Sequence, residues 1–356
     1  MARGSVLRMG EGVVGIDVER VSAWLEASVP GTKGPFDFTL IAGGRSNLTF
    51  RVTDAHGRSI ALRRPPVSHV LPTAHDMVRE YTVISALGPA GIPVPDALAL
   101  CEDDSVNERP FYVMSFVDGH ILRSAEAAEK ELPIEVRARV GPNLATTLAQ
   151  LHAVDPDEVG LGGLARHEGY IDRQIRRWQG QFEQMRVEGV DHGDLVESVG
   201  ATLAERIPVQ QRVSIVHGDY RLDNTVLDDE GRVAAILDWE ICTLGDPLAD
   251  IGILCTYWTD PGDRVAALVG QDGTSAPGFS TRRDVLEAYT EASGLDTSQI
   301  SYYMAFGYWK LACILQGVYA RYVAGATAGD TGSVEDFPRH VTALATLARN
   351  LLGEAA

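Results

Sequence analysis

The stretch Val216-His217-Gly218-Asp219-Tyr220-Arg221-Leu222-Asp223-Asn224, continued by Ile236-Leu237-Asp238-Trp239-Glu240 and Gly245-Asp246-Pro247-Leu248-Ala249-Asp250, decides how the rest of the chain is read. It follows an apolar, β-branched run (Val213, Ile215, Val216), so His217 opens a loop at a strand end. Asn224 stands five residues after Asp219, and Asp238 closes a second apolar strand. That order is the polar skeleton of a metal-assisted phosphoryl-transfer centre. Asp219 can take the proton of an attacking hydroxyl, and Asn224 and Asp238 are oxygen ligands suited to Mg²⁺ carrying ATP phosphates. His217 reads as a residue that packs and hydrogen-bonds the loop, and Gly218 as one that allows close backbone approach. Arg221 suits either a loop carboxylate or a phosphate; Asp223 reads as solvated surface and Glu240 as support behind Asp238.

Other chemistries fit less well. Zinc and two-metal hydrolase centres gather several histidines, and His217 has no H-x-x-x-H partner. Gly43-Gly44-Arg45-Ser46-Asn47 is not G-x-S-x-G, and no G-x-x-x-x-G-K-[ST] occurs.

Upstream lie the parts a nucleotide needs, in order. The spacing predicts a helix over 17–28 and strands at 36–42, 48–52 and 59–63, with Gly43 to Asn47 turning between the first two. That turn can drape backbone N–H groups, with Ser46 and Asn47, over phosphates, although a plain hairpin reads the same way. Arg63 projects from the third strand where a cation for the α- and β-phosphates is wanted. Glu80, on a helix over 76–87, is placed to hold it. Strands at 97–101 and 111–117 complete a five-stranded lobe.

Beyond Gly119 the pattern turns helical: Val136, Val140, Leu144, Leu148 and Leu151 share a face, with a kink or restart expected at Gly141-Pro142. Helices are also predicted near 170–186, 194–206, 281–293, 299–323 and 335–352, and a mobile loop over 270–281. The aromatic run Tyr302, Tyr303, Phe306, Tyr308, Trp309 suits an acyl or ring pocket, but its helical spacing favours core. The architecture is therefore α+β, with a small N-terminal lobe (1–117) and a large helical C-terminal lobe (118–356) carrying the catalytic loop and the substrate site.

Composition narrows the class. A formal net charge of −18 argues against nucleic acid and against anionic membranes, and no apolar run is long enough to span a bilayer. Cys101, Cys242, Cys255 and Cys313 are dispersed, as buried thiols in a reducing cytosol would be. The first fifteen residues have no apolar h-region, so a cytoplasmic location is expected.

At His217–Asn224, Ile236–Glu240 and Gly245–Ile251 the chain resembles the aminoglycoside phosphotransferase and choline kinase family. The resemblance implies a bilobal, protein-kinase-like fold, ATP and Mg²⁺, with Asp219 as base and Asn224 and Asp238 as metal ligands. It further implies adenine at the backbone near Ser115 to Val117, and Asp250 as a buttress of the catalytic loop. Ser46–Phe50, Leu62–Pro66, Ala74–Glu80, Phe111–Met114 and Leu311–Tyr319 are similar to the kinase-like domain fused to certain acyl-CoA dehydrogenases. This implies a hydroxyacyl-CoA or hydroxy acid as the small-molecule hydroxyl substrate. An aminoglycoside phosphotransferase and a nucleotide-binding pseudokinase are the alternatives. Arg63 departs from the family's usual Lys, exchanging a point charge for a fork.

Overall fold

Asp17 accepts the Arg20 N–H at 3.1 Å and so starts α1 (Val18–Ser28), whose Val21 and Leu25 are fully buried. They pack on β1 (Asp37–Leu40), β2 (Leu48–Thr53), β3 (Ser59–Arg64) and, beyond α2 (Met77–Leu87), β4 (Ala97–Cys101), α3 (Asp104–Asn107) and β5 (Phe111–Ser115). The computed structural model describes residues 13–41, 47–67, 76–190, 192–260, 262–263, 268, 271–325 and 334–354. Every strand pair is antiparallel, in the order β1-β2-β3-β5-β4. Alternation sends Phe50, Val52, Ile60, Leu62, Phe111 and Val113 to the core beneath α1. It turns Arg63 to the other face of β3, where its register partners are Thr49 and Tyr112.

The chain divides into two compact units, and the first takes a second segment, 234–242, besides residues 1–119. A single cut at residue 117 does not anticipate that return. Within the unit, the Ile236 N–H donates to the Pro93 carbonyl at 2.7 Å, and Arg79 Nη2 to the Cys242 carbonyl at 2.7 Å. Trp239 is buried between these two ties.

The second unit comprises 120–233 and 243–356. It holds α4 (Ala125–Glu131), α5 (Ile134–Ala153), α6 (Tyr170–Gln184), α7 (Gly193–Glu205), β6 (Ser214–Val216) and β7 (Thr225–Leu227). After β8 (Val233–Ile236), which spans the boundary, come β9 (Thr243–Gly245), α8 (Leu248–Tyr257), α9 (Arg282–Ser293), α10 (Ile300–Val323) and α11 (Phe337–Glu354). α10 is buried all round over its middle, as a central helix must be, and packs on α6, α7, α8 and α11. The aromatic run is core: the Tyr302 hydroxyl donates to the Leu203 carbonyl, Tyr303 to Asp246, and Trp309 Nε1 to the Val196 carbonyl.

Two expectations change. Helix α5 runs through Pro142 without a restart, because Val140, Leu144, Leu148 and Leu151 keep one fully buried face across it. Gly141 supplies the clearance there: a Cβ would lie 2.8 Å from the Trp258 ring. The segment expected to be mobile is tied down over its described part, 271–281. Thr274 Oγ1 accepts the Thr259 N–H (2.9 Å), Arg137 holds the Pro277 carbonyl (2.7 Å), and Trp258 Nε1 donates to the Ser280 carbonyl (2.8 Å).

Candidate active site

In the second unit, β6 delivers His217 into a loop that ends in a 3-10 turn, Leu222–Asn224, before β7. Gly218 has φ of 84°, which glycine alone adopts freely. Fully buried Asp250, on the first turn of α8, accepts the His217 N–H at 2.6 Å and the Gly218 N–H at 2.8 Å. His152 Nε2 lies 3.3 Å from the same carboxylate, and its Nδ1 is 2.8 Å from the Tyr289 hydroxyl. Burial raises the Asp250 pKa, but His152 and the backbone donors outweigh it and hold the carboxyl below its ordinary value. The buttress expected of Asp250 is thus present as geometry.

Asp219 follows. Its Oδ2 accepts Arg221 Nε at 3.0 Å and Asn224 Nδ2 at 3.0 Å, while Asn224 Nδ2 also reaches the Asp219 carbonyl at 2.9 Å. With the amide nitrogen spent in this way, Asn224 Oδ1 is left as the ligand-type oxygen. His217 Nδ1 accepts the Asp219 N–H at 3.2 Å, so the imidazole shapes the loop. The Arg221 guanidinium lies on carboxylates: it also reaches Asp223 at 3.4 Å and stacks 5.1 Å from the Tyr257 ring centroid. Asp223 is not the solvated group expected. Its side chain is 14% exposed, Gln271 donates to it at 2.7 Å, and burial pushes its pKa up.

The first unit gathers a second constellation. Arg63 donates through Nε to Glu80 Oε2 (2.8 Å), through Nη1 to Thr49 Oγ1 (3.3 Å) and through Nη2 to Asp238 Oδ1 (2.5 Å). Glu80, 1% exposed, also accepts the Tyr112 hydroxyl (3.0 Å) and Asn47 Nδ2 (3.0 Å), and Asn47 Nδ2 reaches Glu240 Oε2 at 3.2 Å. Asp238 adopts φ of 67°, so the chain turns sharply as β8 ends and presents the carboxylate to Arg63. Three carboxylates face one guanidinium. Burial alone would lower the Arg63 pKa, but these carboxylates outweigh it and raise it, whereas burial is the main push raising that of Glu80.

Of the residues expected from sequence, Asn47, Arg63, Glu80 and Asp238 converge in the first unit, and Asp219 and Asn224 in the second. Ser46 lies outside the described residues. Ser115 ends β5, its N–H donated to the Asp96 carbonyl and its hydroxyl accepting the Asp96 N–H; Val117 is half-buried just beyond. One cation was not anticipated. Lys310 of α10 is 7% exposed and donates to the Gly218 carbonyl at 2.8 Å, completing from the other side the clamp that Asp250 begins. Its signal was a lone lysine inside an otherwise apolar helical run.

Asn224 Oδ1 and the Asp238 carboxylate are hard oxygen donors, the kind Mg²⁺ takes, in ones and twos, alongside phosphate oxygens. Each of the two, taken in its own unit, is a donor of the type that ion accepts. No helix among the described residues is long and apolar enough to cross a membrane.

Comparison with known proteins gives a family model, the phosphotransferase enzyme family, matching residues 37–285. Acyl-CoA dehydrogenase family member 11 of Gallus gallus is 35% identical over 318 residues, covering 85% of this chain and 39% of that protein. Family member 10 of Mus musculus is 33% identical over 311 residues, covering 85% of this chain and 28% of that protein. The chain therefore spans well under half of these relatives. A crystal structure of a candidate aminoglycoside phosphotransferase from Ralstonia eutropha superposes with a TM-score of 0.78 at 31% identity, covering 95% and 98% of the two chains. A Cryptosporidium parvum choline kinase does so at 0.64 and 13%, covering 95% and 96%. The expected protein-kinase-like fold is established by these likenesses.

Proposed function

The chain belongs to the phosphotransferase enzyme family, and on that premise we propose that it transfers the γ-phosphoryl of ATP to a hydroxyl of a small hydroxylated acyl compound, a hydroxyacyl-CoA or hydroxy acid. The observation that carries the reading is the Asp219 carboxylate, fixed by Asn224 and Arg221 on a loop whose backbone Asp250 anchors. As the acceptor oxygen bonds to phosphorus and the bond to the ADP oxygen breaks, Asp219 takes the hydroxyl proton. Asn224 and Asp238 would hold Mg²⁺, which when bound neutralises charge on the phosphates. Arg63, kept in place by Glu80, serves the α- and β-phosphates; Ser46 and Asn47 serve the phosphate loop, and the backbone near Ser115 and Val117 serves adenine.

The acyl class draws support from the two acyl-CoA dehydrogenase relatives, of which the chain matches only a minor part. The test is transfer of labelled γ-phosphate from Mg-ATP into hydroxyacyl-CoAs, hydroxy acids, choline-like alcohols and aminoglycosides, with Asp219→Asn alongside. We expect label only in the hydroxylated acyl compounds, lost in the variant while ATP affinity persists. Undiminished turnover by Asp219→Asn would remove the base assignment, and nucleotide binding without transfer would favour the pseudokinase.

A further inference from the structure

Lys310 is a buried ammonium short of acceptors. Of its three donors, one goes to the Gly218 carbonyl, and the head lies 5.5 Å from the Trp178 ring centroid. Among the described residues no carboxylate lies within ion-pair distance of it. A neutral carbonyl and a ring face are poor compensation for a desolvated charge. Burial lowers its pKa, and the main opposing pull comes from Asp219. Beside it, the Trp178 Nε1–H is also buried and has no acceptor. Next along α6, Arg177 is exposed, with its guanidinium 5.4 Å from the same ring centroid. Exposed Arg177, half-buried Trp178 and buried Lys310 form a strip of donors that runs inward and stops one residue short of Asp219.

We propose that Lys310 and Trp178 form an acceptor-side subsite that holds the acyl oxygen, carboxylate or thioester carbonyl, of the substrate whose hydroxyl is given to Asp219. The inference rests on the phosphotransferase reading and adds how the acceptor is recognised. An acyl oxygen there takes an unspent N–H donor of Lys310, with the indole N–H as a second donor beside it, and a carboxylate also neutralises the ammonium. The nearness of Lys310 to Gly218 then links the two ends of the acceptor: the acyl oxygen and the hydroxyl must lie a short carbon chain apart. A polycation meets repulsion, and an alcohol without an acyl oxygen leaves both donors unfilled.

The experiment uses the full chain, with Trp178→Phe, which deletes only the N–H and keeps the ring, and Lys310→Met. Calorimetry without nucleotide measures binding of a short-chain hydroxy acid, its CoA thioester and the matching diol. Steady-state transfer from Mg-ATP to the same three is run in parallel. Trp178→Phe is expected to weaken the acyl ligands roughly three- to ten-fold and Lys310→Met at least ten-fold, the worth of a neutral and a charged hydrogen bond. Trp178→Phe, which leaves the Lys310 bond to the catalytic loop in place, should not weaken the diol and should keep the KM for ATP within about two-fold. A stronger loss for the free acid names the carboxylate as the bound oxygen; a stronger loss for the thioester names its carbonyl. Equal acyl affinity in wild type and both variants, with transfer intact, overturns the subsite and leaves the phosphotransferase standing. If wild type transfers nothing but binds the hydroxy acid through these residues, the functional reading fails and the subsite survives.

Discussion

Arg63→Met should destabilise the first unit by about 3 kcal/mol at pH 8, and by much less near pH 4–5. The side chain removed is the largest opposing charge on a carboxylate that is 1% exposed. Breaking a buried ion pair from one side costs about 3–5 kcal/mol, because the remaining charge stays desolvated. Glu80 keeps two donors, the Tyr112 hydroxyl and Asn47 Nδ2, which places the loss at the lower end. Burial already raises the Glu80 pKa above its ordinary value, and losing Arg63 raises it further. For a group whose folded pKa is raised, the stability is present below the unfolded value of about 4.3 and is lost as pH rises through the folded one. The defect of the variant therefore grows with pH. Adding Glu80→Gln removes the stranded charge, so the double variant should regain at least half of the loss at pH 8 and show no Glu80-linked slope. Native-state hydrogen exchange at β3 and α2 (at pH 5 and 8) reads this unit directly; a chain of two units need not unfold in one step. An equal defect at both pH values, or a double variant no better than Arg63→Met, would refute the reasoning.

The His217 and Gly218 N–H groups bond to different oxygens of Asp250, so Asp250→Asn sets an NH2 donor against one of them and should cost about 2–4 kcal/mol in urea unfolding. It should also remove an acid limb: the depressed pKa of Asp250 gives stability present above about pH 4 and lost as pH falls through the folded value. Tyr303→Phe deletes the 2.7 Å hydrogen bond to buried Asp246 and should cost about 1–3 kcal/mol by thermal unfolding. Gly252→Ala puts a Cβ 2.6 Å from the Tyr303 Cβ and 2.9 Å from its backbone carbon, so α8 and α10 must separate; about 1–3 kcal/mol of destabilisation is expected in the same assay.

The elements easiest to read in the sequence were those set by local rules. α1 and α2 follow Asp caps and helical spacing, and the five strands follow short apolar, β-branched or aromatic runs bounded by turn residues. Arg63 and Glu80 were legible as a pair because strand order and helix position put them on one face. What stayed hidden depends on distant partners. The Arg63–Asp238 bond joins residues 175 positions apart, and nothing near Asp238 announces it. Asp223 is buried because Gln271 comes to it from 48 residues away. Pro142 stays inside α5 because the packing of a long apolar face outweighs one lost backbone bond, a balance that spacing does not record. Lys310 and Trp178 lie on separate helices and acquire meaning only when α10 and α6 pack.

The return of 234–242 into the first unit bears on how the protein is made. A ribosome releases the N-terminal sheet long before Ile236 and Cys242 exist, so the nascent lobe waits through more than a hundred residues of the other unit's sequence without the ties at Pro93 and Arg79. A message truncated at residue 119 would therefore yield a fragment lacking nine residues of its own unit, and supplying 234–242 in trans would be the way to complete it.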